Sequence, residues 1–261
     1  ENSEMSLENE MNDKWRTIYK ESDGLGEVLG SLLSENNSEI GTFLKSEDQQ
    51  KEYLEKVFPQ LVNALQYNTS SGVFLVLAND ASVDQKAEYQ GFFVRDSDPQ
   101  TKTATNTDLM LERGDKNLAR NMNISLDNAW TTDFKLNGKN QRTADDFFYE
   151  PYVAAVEHKD SQMENLGYWS QPFILEDHYM DSHKMITYSV PLKYDGEIYG
   201  VLGVEIGVKY LNNYFSVNEL DDSLNAGYAL MIQQEDGHYK VLAGKGALYD
   251  AAFRERKNLK L

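Results

Sequence analysis

Over the first quarter of the chain, apolar positions follow a helical period. Met11, Trp15, Ile18, Leu25, Leu29 and Leu32 recur at three- and four-residue steps with charged residues between them, which predicts a long helix over residues 1 to about 35. Gly24, Gly26 and Gly30 each weaken that helix by about 1 kcal/mol relative to alanine, so a break or bend is expected near them. Asn36-Asn37-Ser38 interrupts the pattern. A second helix is expected from about Glu47 to Tyr67, with Leu54, Val57, Phe58, Leu61, Val62 and Leu65 on one face. Ser46 is positioned to cap it, with Gln49 completing a capping box.

The period then changes. Gly72 to Leu77 is a continuous apolar run and predicts a buried strand, with Tyr89 to Arg95 as its partner. Residues 96 to 110 are polar and rich in turn formers, a short helix is expected within Leu109 to Leu126 (ERGDKNLARNM), and residues 127 to 143 read as irregular. Asp145 to Val156 is expected to be helical after a Thr143 cap, with Pro151 in or near its first turn. Lys184 to Leu192 and Glu197 to Val208 form a hairpin about Asp195-Gly196, a pair suited to the positive φ of tight hairpin turns. A further strand pair, Gly227 to Ile232 and Tyr239 to Ala243, echoes the first and reads as a weak internal repeat.

Composition narrows the classes. With 25 basic and 43 acidic residues the formal charge is −18, which repels phosphate backbones and anionic membrane surfaces and argues against nucleic acid as a partner. The absence of cysteine excludes disulfides, thiolate metal sites and cysteine nucleophiles. No window approaches 18 uninterrupted apolar residues, so no membrane span is predicted. The chain opens at Glu1 without methionine, as a processed or trimmed product does.

Motifs for chemistry are sparse. There is no nucleophile elbow, phosphate-binding glycine loop or dinucleotide fingerprint, and no cofactor is expected. His178 and His183, with Asp177 and Asp181, lack zinc-helix spacing and read as a polar turn. Arg95-Asp96-Ser97-Asp98 reads as turn residues leading into Pro99. Alternatively, Arg95 faces an anionic ligand group and the two aspartates meet a metal. Paired acids such as Asp145/Asp146 and Glu176/Asp177 are too common in so acidic a chain to imply glycosidase work.

Three segments carry a family resemblance: Trp169-Ser170-Gln171-Pro172-Phe173, Ile186-Thr187-Tyr188-Ser189-Val190-Pro191, and Tyr199-Gly200-Val201-Leu202-Gly203-Val204-Glu205-Ile206. In this order, behind two helices and a strand pair, they resemble the double Cache (dCACHE) domain. That domain is the PAS-like extracytoplasmic sensor of bacterial chemoreceptors, sensor histidine kinases and membrane-bound diguanylate cyclases. The resemblance covers nearly the whole chain. It implies a ligand pocket in the first module, lined by the helix before the Trp element and by the sheet. The amino-acid-binding branch of that family carries an Arg-x-Trp-Tyr segment, a Tyr after the Trp-x-x-Pro element and an Asp in the Gly-x-Asp-Ile strand. Here the matching positions are Asp146-Phe147-Phe148-Tyr149, Phe173 and Glu205, which argues against an α-amino acid held in that way.

If the pocket holds Tyr149, Tyr152, Trp169, Phe173, Tyr188 and Glu205, with Arg95 as a second charged anchor, it suits a cationic or amphipathic small molecule. Each of the aromatics, taken singly, reads more readily as core. Glu205 sits in an apolar strand, and it either receives a ligand cation, meets a partner such as an arginine, or points outward. The resulting expectation is an α+β fold of PAS-like antiparallel sheet modules packed on a long N-terminal helix. Residues 1–70 would be helical, 71–209 the membrane-distal ligand-binding module, and 210–261 the start of an incomplete membrane-proximal module. The chain would be a non-enzymatic, extracytoplasmic sensor of a membrane receptor, anchored through flanking helices and able to dimerise through its long helix. The alternatives are a secreted two-carboxylate hydrolase and a ligand-free dimerisation module.

Overall fold

A computed structural model describes residues 2–101, 105–175, 184–215, 226–234, 236–253 and 258–260. Helices α1 (Asn2–Asn9) and α2 (Glu21–Glu35) belong to one helical run, joined by a π-helical turn at Glu10–Trp15 and a 3-10 turn at Arg16–Lys20. Its buried stripe is Trp15, Ile18, Ser22, Leu25, Leu29 and Leu32, so Ser22 fills the gap in the apolar period. The expected glycine bend is absent: α2 runs through all three glycines, and the irregular turns lie earlier. Packing explains one of them, since a Cβ on Gly30 would stand 2.8 Å from the Tyr194 hydroxyl.

The run ends at Asn36-Asn37, where Asn37 takes φ 44° and the Ser38 N–H donates to the Leu33 carbonyl at 2.9 Å. A short α3 (Ile40–Phe43) that the apolar pattern does not announce follows and buries Phe43. In α4 (Glu47–Asn68) the Ser46 side chain accepts from the Gln49 N–H at 3.3 Å, as expected. The reciprocal half of the capping box is replaced, because the Gln49 side chain accepts from Ser38 Oγ at 3.1 Å.

The strands are β1 (Gly72–Leu77), β2 (Ala87–Tyr89), β3 (Gly91–Asp96), β4 (Leu109–Arg113), β5 (Ser125–Thr131), β6 (Phe134–Leu136), β7 (Tyr168–Trp169), β8 (Met185–Tyr194) and β9 (Glu197–Gly207). Seven of them form one sheet in the order β5-β4-β3-β1-β9-β8-β7, antiparallel except for the β4–β5 pair, and β2 pairs with β6 apart from it. The partner expected over 89–95 is therefore divided. Tyr89 belongs to β2, and Gly91 opens β3 where any Cβ would collide with the Leu75 carbonyl. The expected helix near 112–122 is also divided: Glu112 and Arg113 end β4, and Asp115 caps α5 (Lys116–Asn121), accepting from the Asn117 N–H at 2.8 Å. The stretch expected to be irregular holds β5 and β6, whose polar residues hid the alternation. The β8–β9 hairpin turns at Asp195 (φ 48°) and Gly196 (φ 85°), the two positive values of a type I′ turn.

Strand alternation gives this sheet two apolar faces. Val73, Leu75, Leu77, Val94, Val190, Leu202 and Val204 join the core with α2 and α4. Phe74, Val76, Phe93, Met185 and Val201 form a second cluster under α6 (Asp146–Glu157). A 3-10 turn at Thr143–Asp145 precedes α6, so Thr143 does not cap it, and Pro151 lies beyond its first turn. The Asp145 carboxylate instead accepts from the Asn137 backbone N–H at 2.8 Å.

After β9 come α7 (Val208–Leu211), the antiparallel strands β10 (Tyr228–Gln233), β11 (His238–Lys245) and β12 (Asn258–Lys260), and α8 (Ala247–Phe253). Among the described residues no helix is long and apolar enough to cross a membrane.

Candidate functional site

The α6 face of the main sheet carries a buried charge cluster. Gly72 of β1 stands in register between Arg95 of β3 and Glu205 of β9, and Thr187 of β8 pairs with Glu205 from the other side. Having no side chain, Gly72 leaves room for Arg95 and Glu205 to meet above it. A Cβ at Gly72 would lie 2.5 Å from Glu205 Oε2 and 2.7 Å from the Phe93 ring. Arg95 Nε donates to Glu205 Oε2 at 3.0 Å, and Arg95 Nη1 forms an ion pair with Glu112 Oε1. The guanidinium lies over the Phe93 ring, 5.3 Å from its centroid.

All three charged side chains are nearly water-free, with exposures of 8% for Arg95, 2% for Glu205 and 0% for Glu112. Two carboxylates therefore share one guanidinium in a dry environment, where an uncompensated charge is costly. Burial opposes the charge on Arg95, but Glu205 and Glu112 outweigh it and hold the guanidinium above its ordinary value. Burial likewise pushes the Glu205 carboxyl up to about 7, against the pull of Arg95 and with the repulsion of Glu112. Arg95 Nη2 and Thr187 Oγ1 are buried and find no hydrogen-bond partner among the described residues. The cluster therefore carries unused donor capacity beside an excess of negative charge.

An aromatic layer adjoins it. Phe74 meets Phe93 and Phe147 edge-on at 6.1 and 5.1 Å, and Phe147 stacks on Phe173 at 5.6 Å with the rings 1° from parallel. The Ser189 hydroxyl donates to the Phe147 carbonyl at 2.7 Å and pins α6 to β8. Further along, Phe148 stacks on Tyr152 at 5.4 Å, and the Tyr89 and Tyr149 hydroxyls are 3.4 Å apart. A cleft of about 20 Å³ opens beside this layer among Arg113, Asp133, Asp145 and Leu175. That is room for about one or two waters.

Five of the seven residues singled out from sequence lie on this side: Tyr149, Tyr152 and Phe173 in the aromatic layer, and Arg95 and Glu205 in the charge cluster. Trp169 and Tyr188 do not. They are register partners on the opposite face, with rings 5.0 Å apart. There Trp169 meets Trp15 edge-on at 6.5 Å and Arg16 lies 5.8 Å from the Tyr188 centroid. A strand sends successive side chains to opposite faces. Tyr168 is thus the residue of β7 on the α6 side, its hydroxyl pushed up to about 12 by burial and then by Asp146 and Glu150.

Arg95 lies within β3, not in a turn, and it faces Glu205 and Glu112. Asp96 accepts from the Asp98 N–H at 2.8 Å, and burial pushes its carboxyl up to about 6. Among the described residues no three acidic or histidine side chains are grouped to hold a metal. Glu176, Asp177, His178, Asp181 and His183 lie outside the described residues. Sequence reasoning missed Glu112, Thr187, Phe74, Phe93 and Phe147. The i, i+2 spacing of Phe93 and Arg95 was the available signal, whereas Glu112 was hidden in a charged stretch that reads as helix.

Residues 59–213 match the family model of the methyl-accepting chemotaxis protein-like first PDC sensor domain. No curated protein matches the chain. Among solved structures, methyl-accepting chemotaxis protein X is similar at 16% identity, over 87% of this chain and 71% of that one, with a TM-score of 0.41. The ligand-binding domain of the Pseudomonas aeruginosa PAO1 amino acid chemoreceptor PctC, in complex with GABA, shares 16% identity over 87% of this chain and 67% of its own, with a TM-score of 0.32. That of Campylobacter jejuni Tlp3, in complex with 4-methylisoleucine, shares 17% over 87% and 69%, with a TM-score of 0.33. The family assignment rests on the match over 59–213.

Proposed function

The chain belongs to the methyl-accepting chemotaxis protein-like family of first PDC sensor domains, and on that premise we propose that it binds a small molecule between its main sheet and α6. Sensor domains of this family are non-catalytic ligand-binding modules, in keeping with the extracellular sensor role expected from the sequence. The observation that carries the site is the buried Arg95 shared by Glu205 and Glu112, with the Thr187 hydroxyl oxygen free beside it to accept a hydrogen bond. An ammonium group would balance the excess carboxylate and accept a place beside the rings of Phe74, Phe93 and Phe173. The preferred ligand class is therefore a cationic or amphipathic small molecule. The hydrolase alternative needs two acids facing each other across a cleft, whereas Glu205 and Glu112 both turn to Arg95.

In this reading residues 71–209 are the membrane-distal module and 210–261 begin a membrane-proximal one. The intact protein is a receptor anchored in the membrane, and the helical run over residues 2–35 carries the signal and pairs with its copy in a homodimer. A ligand achieves that only by binding one arrangement of sheet and helix more tightly than another.

The test is a thermal-shift screen against amines, amino acids, carboxylates, purines and sugars. A ligand at a hundredfold excess over its Kd adds about 2.7 kcal/mol of stability. Glu205→Gln is expected to weaken binding of the hit without unfolding the domain. Unchanged affinity would remove Glu205 from the site, and no shift across the panel would sink the small-ligand reading.

A further inference from the structure

The charges of the Arg95 cluster do not sum to zero. Glu205 and Glu112 share one guanidinium, and all three side chains are buried, so one negative charge is left over in a dry site. Such a charge is costly to keep. A proton removes it, and two acids this close titrate as a pair. The groups that act on the pair among the described residues come from several elements: Arg95 from β3, Glu112 from β4, Ser71 before β1, Asp127 of β5 through Arg95, and Tyr210 of α7. Toward α6 the neighbours are the rings of Phe74, Phe93 and Phe147, which carry no charge.

A route for that proton lies beside the cluster. Where the π-helical turn Glu10–Trp15 passes the start of β1 and the chain leaving β9, a cleft of about 250 Å³ opens. It has room for several waters. Glu10 and Lys14, paired at 2.6 Å, line one side, and Ser71 and Tyr210 line the side toward Glu205. The Ser71 hydroxyl has one hydrogen to give and two acceptors to choose from. One is the Glu205 backbone carbonyl, at 3.1 Å. The other is the Glu205 carboxylate, whose ionised form Ser71 favours. An ionised acceptor holds a hydroxyl more strongly than a neutral one. The hydrogen therefore turns to the carboxylate when Glu205 is charged, and to the carbonyl when it is not. The Ser71 oxygen also accepts from the Gly207 N–H, and α7 starts from Gly207. A Cβ on Gly207 would stand 3.0 Å from the Tyr210 ring and 3.4 Å from Ser71 Oγ, so these groups are closely packed.

We propose that this domain senses protons: the Arg95–Glu205–Glu112 cluster takes up one proton by way of the cleft, and the Ser71 hydroxyl relays its arrival to Gly207 and the start of α7. The sign follows from the charge count and from burial, which lifts the Glu205 carboxyl to about 7. Above that pH Glu205 is ionised and holds the Ser71 hydrogen. As the pH falls through it, the proton cancels the excess charge and the hydroxyl turns to the carbonyl. The segment is placed to pass the change on, because Asn212, directly after α7, accepts from the Gly244 N–H of β11 at 3.0 Å. This function goes beyond the small-ligand reading, since a proton on Glu205 needs no organic ligand.

The experiment is an NMR titration of the full chain between about pH 5 and pH 9, with 13C at the glutamate carboxyl carbons and 15N at the amides, and with no ligand added. The expected result is one glutamate carboxyl signal with a midpoint near 7 that is missing from Glu205→Gln. The Gly244 amide signal should move with the same midpoint, and stay fixed in Glu205→Gln. Ser71→Ala removes the relay but leaves the charges in place. It should raise the proton affinity of Glu205 about tenfold and uncouple Gly244 from it. No glutamate titrating between about pH 6 and pH 8, or one that survives Glu205→Gln, would overturn the proton site. An unmoved Gly244 in wild type, or an unchanged midpoint in Ser71→Ala, would overturn the relay. The wild-type titration decides proton uptake whether or not a variant folds. Because no ligand is present, its failure is distinct from a failure of the thermal-shift screen.

Discussion

Replacing Glu205 by glutamine removes a titrating carboxyl from the buried cluster while keeping its shape. The oxygen of the new side-chain amide still accepts from Arg95 Nε, and Glu112 still neutralises the guanidinium, so no buried charge is left alone. The large penalty for orphaning one partner of a buried pair does not apply. What changes is the proton balance. Glu205 has a carboxyl pushed from 4.5 up to about 7 by burial. Below about pH 4.5 it is protonated in folded and unfolded chains alike, and it costs nothing. As the pH rises through about 7 the unfolded chain is already ionised while the folded one resists, so stability is lost across that window and levels off above it. The full cost is about 3 kcal/mol. Urea unfolding of wild type and Glu205→Gln between about pH 4.5 and pH 8.5 reads it, because the two chains differ only in this carboxyl and in its coupling to the neighbouring Glu112 and Arg95. The variant should gain about 3 kcal/mol on wild type across the window. A difference that stays constant with pH would show that Arg95 holds Glu205 ionised throughout, and would refute the reasoning.

Gly72→Ala forces a methyl group into the space shared by Glu205 and Phe93, and should cost at least the 1–3 kcal/mol or so of an overpacked core; an unchanged urea midpoint would contradict it. Gly26→Ala meets nothing within 4 Å inside α2, so it should stabilise the chain by about 0.5–1 kcal/mol, seen as a higher Tm. Ser46→Ala removes the cap of α4 and should lower stability by about 1 kcal/mol in the same denaturation assay.

Much of the local structure was legible in the sequence, because it follows from short-range rules. The stripe of Trp15, Ile18, Leu25, Leu29 and Leu32 marks a helix face whichever element covers it. Ser46 before Gln49 marks a helix start, and Asp195-Gly196 marks a hairpin, since each depends on the backbone preferences of a few adjacent residues. The three family segments likewise pointed to the sensor fold. Long polar strands such as β5 escaped, because their alternation carries no hydrophobic signal.

The site depended on tertiary structure. Sequence marks Glu205 as an acid in an apolar strand, but it cannot say that Gly72, lying between that strand and β3, leaves the gap through which Arg95 reaches it. Nor can it divide Tyr168 from Trp169, which one step of strand alternation sends to α6 and to Trp15 respectively. Local periodicity determines which residues are buried. The register of strands distant in sequence decides which face they are buried on, and therefore which charges meet.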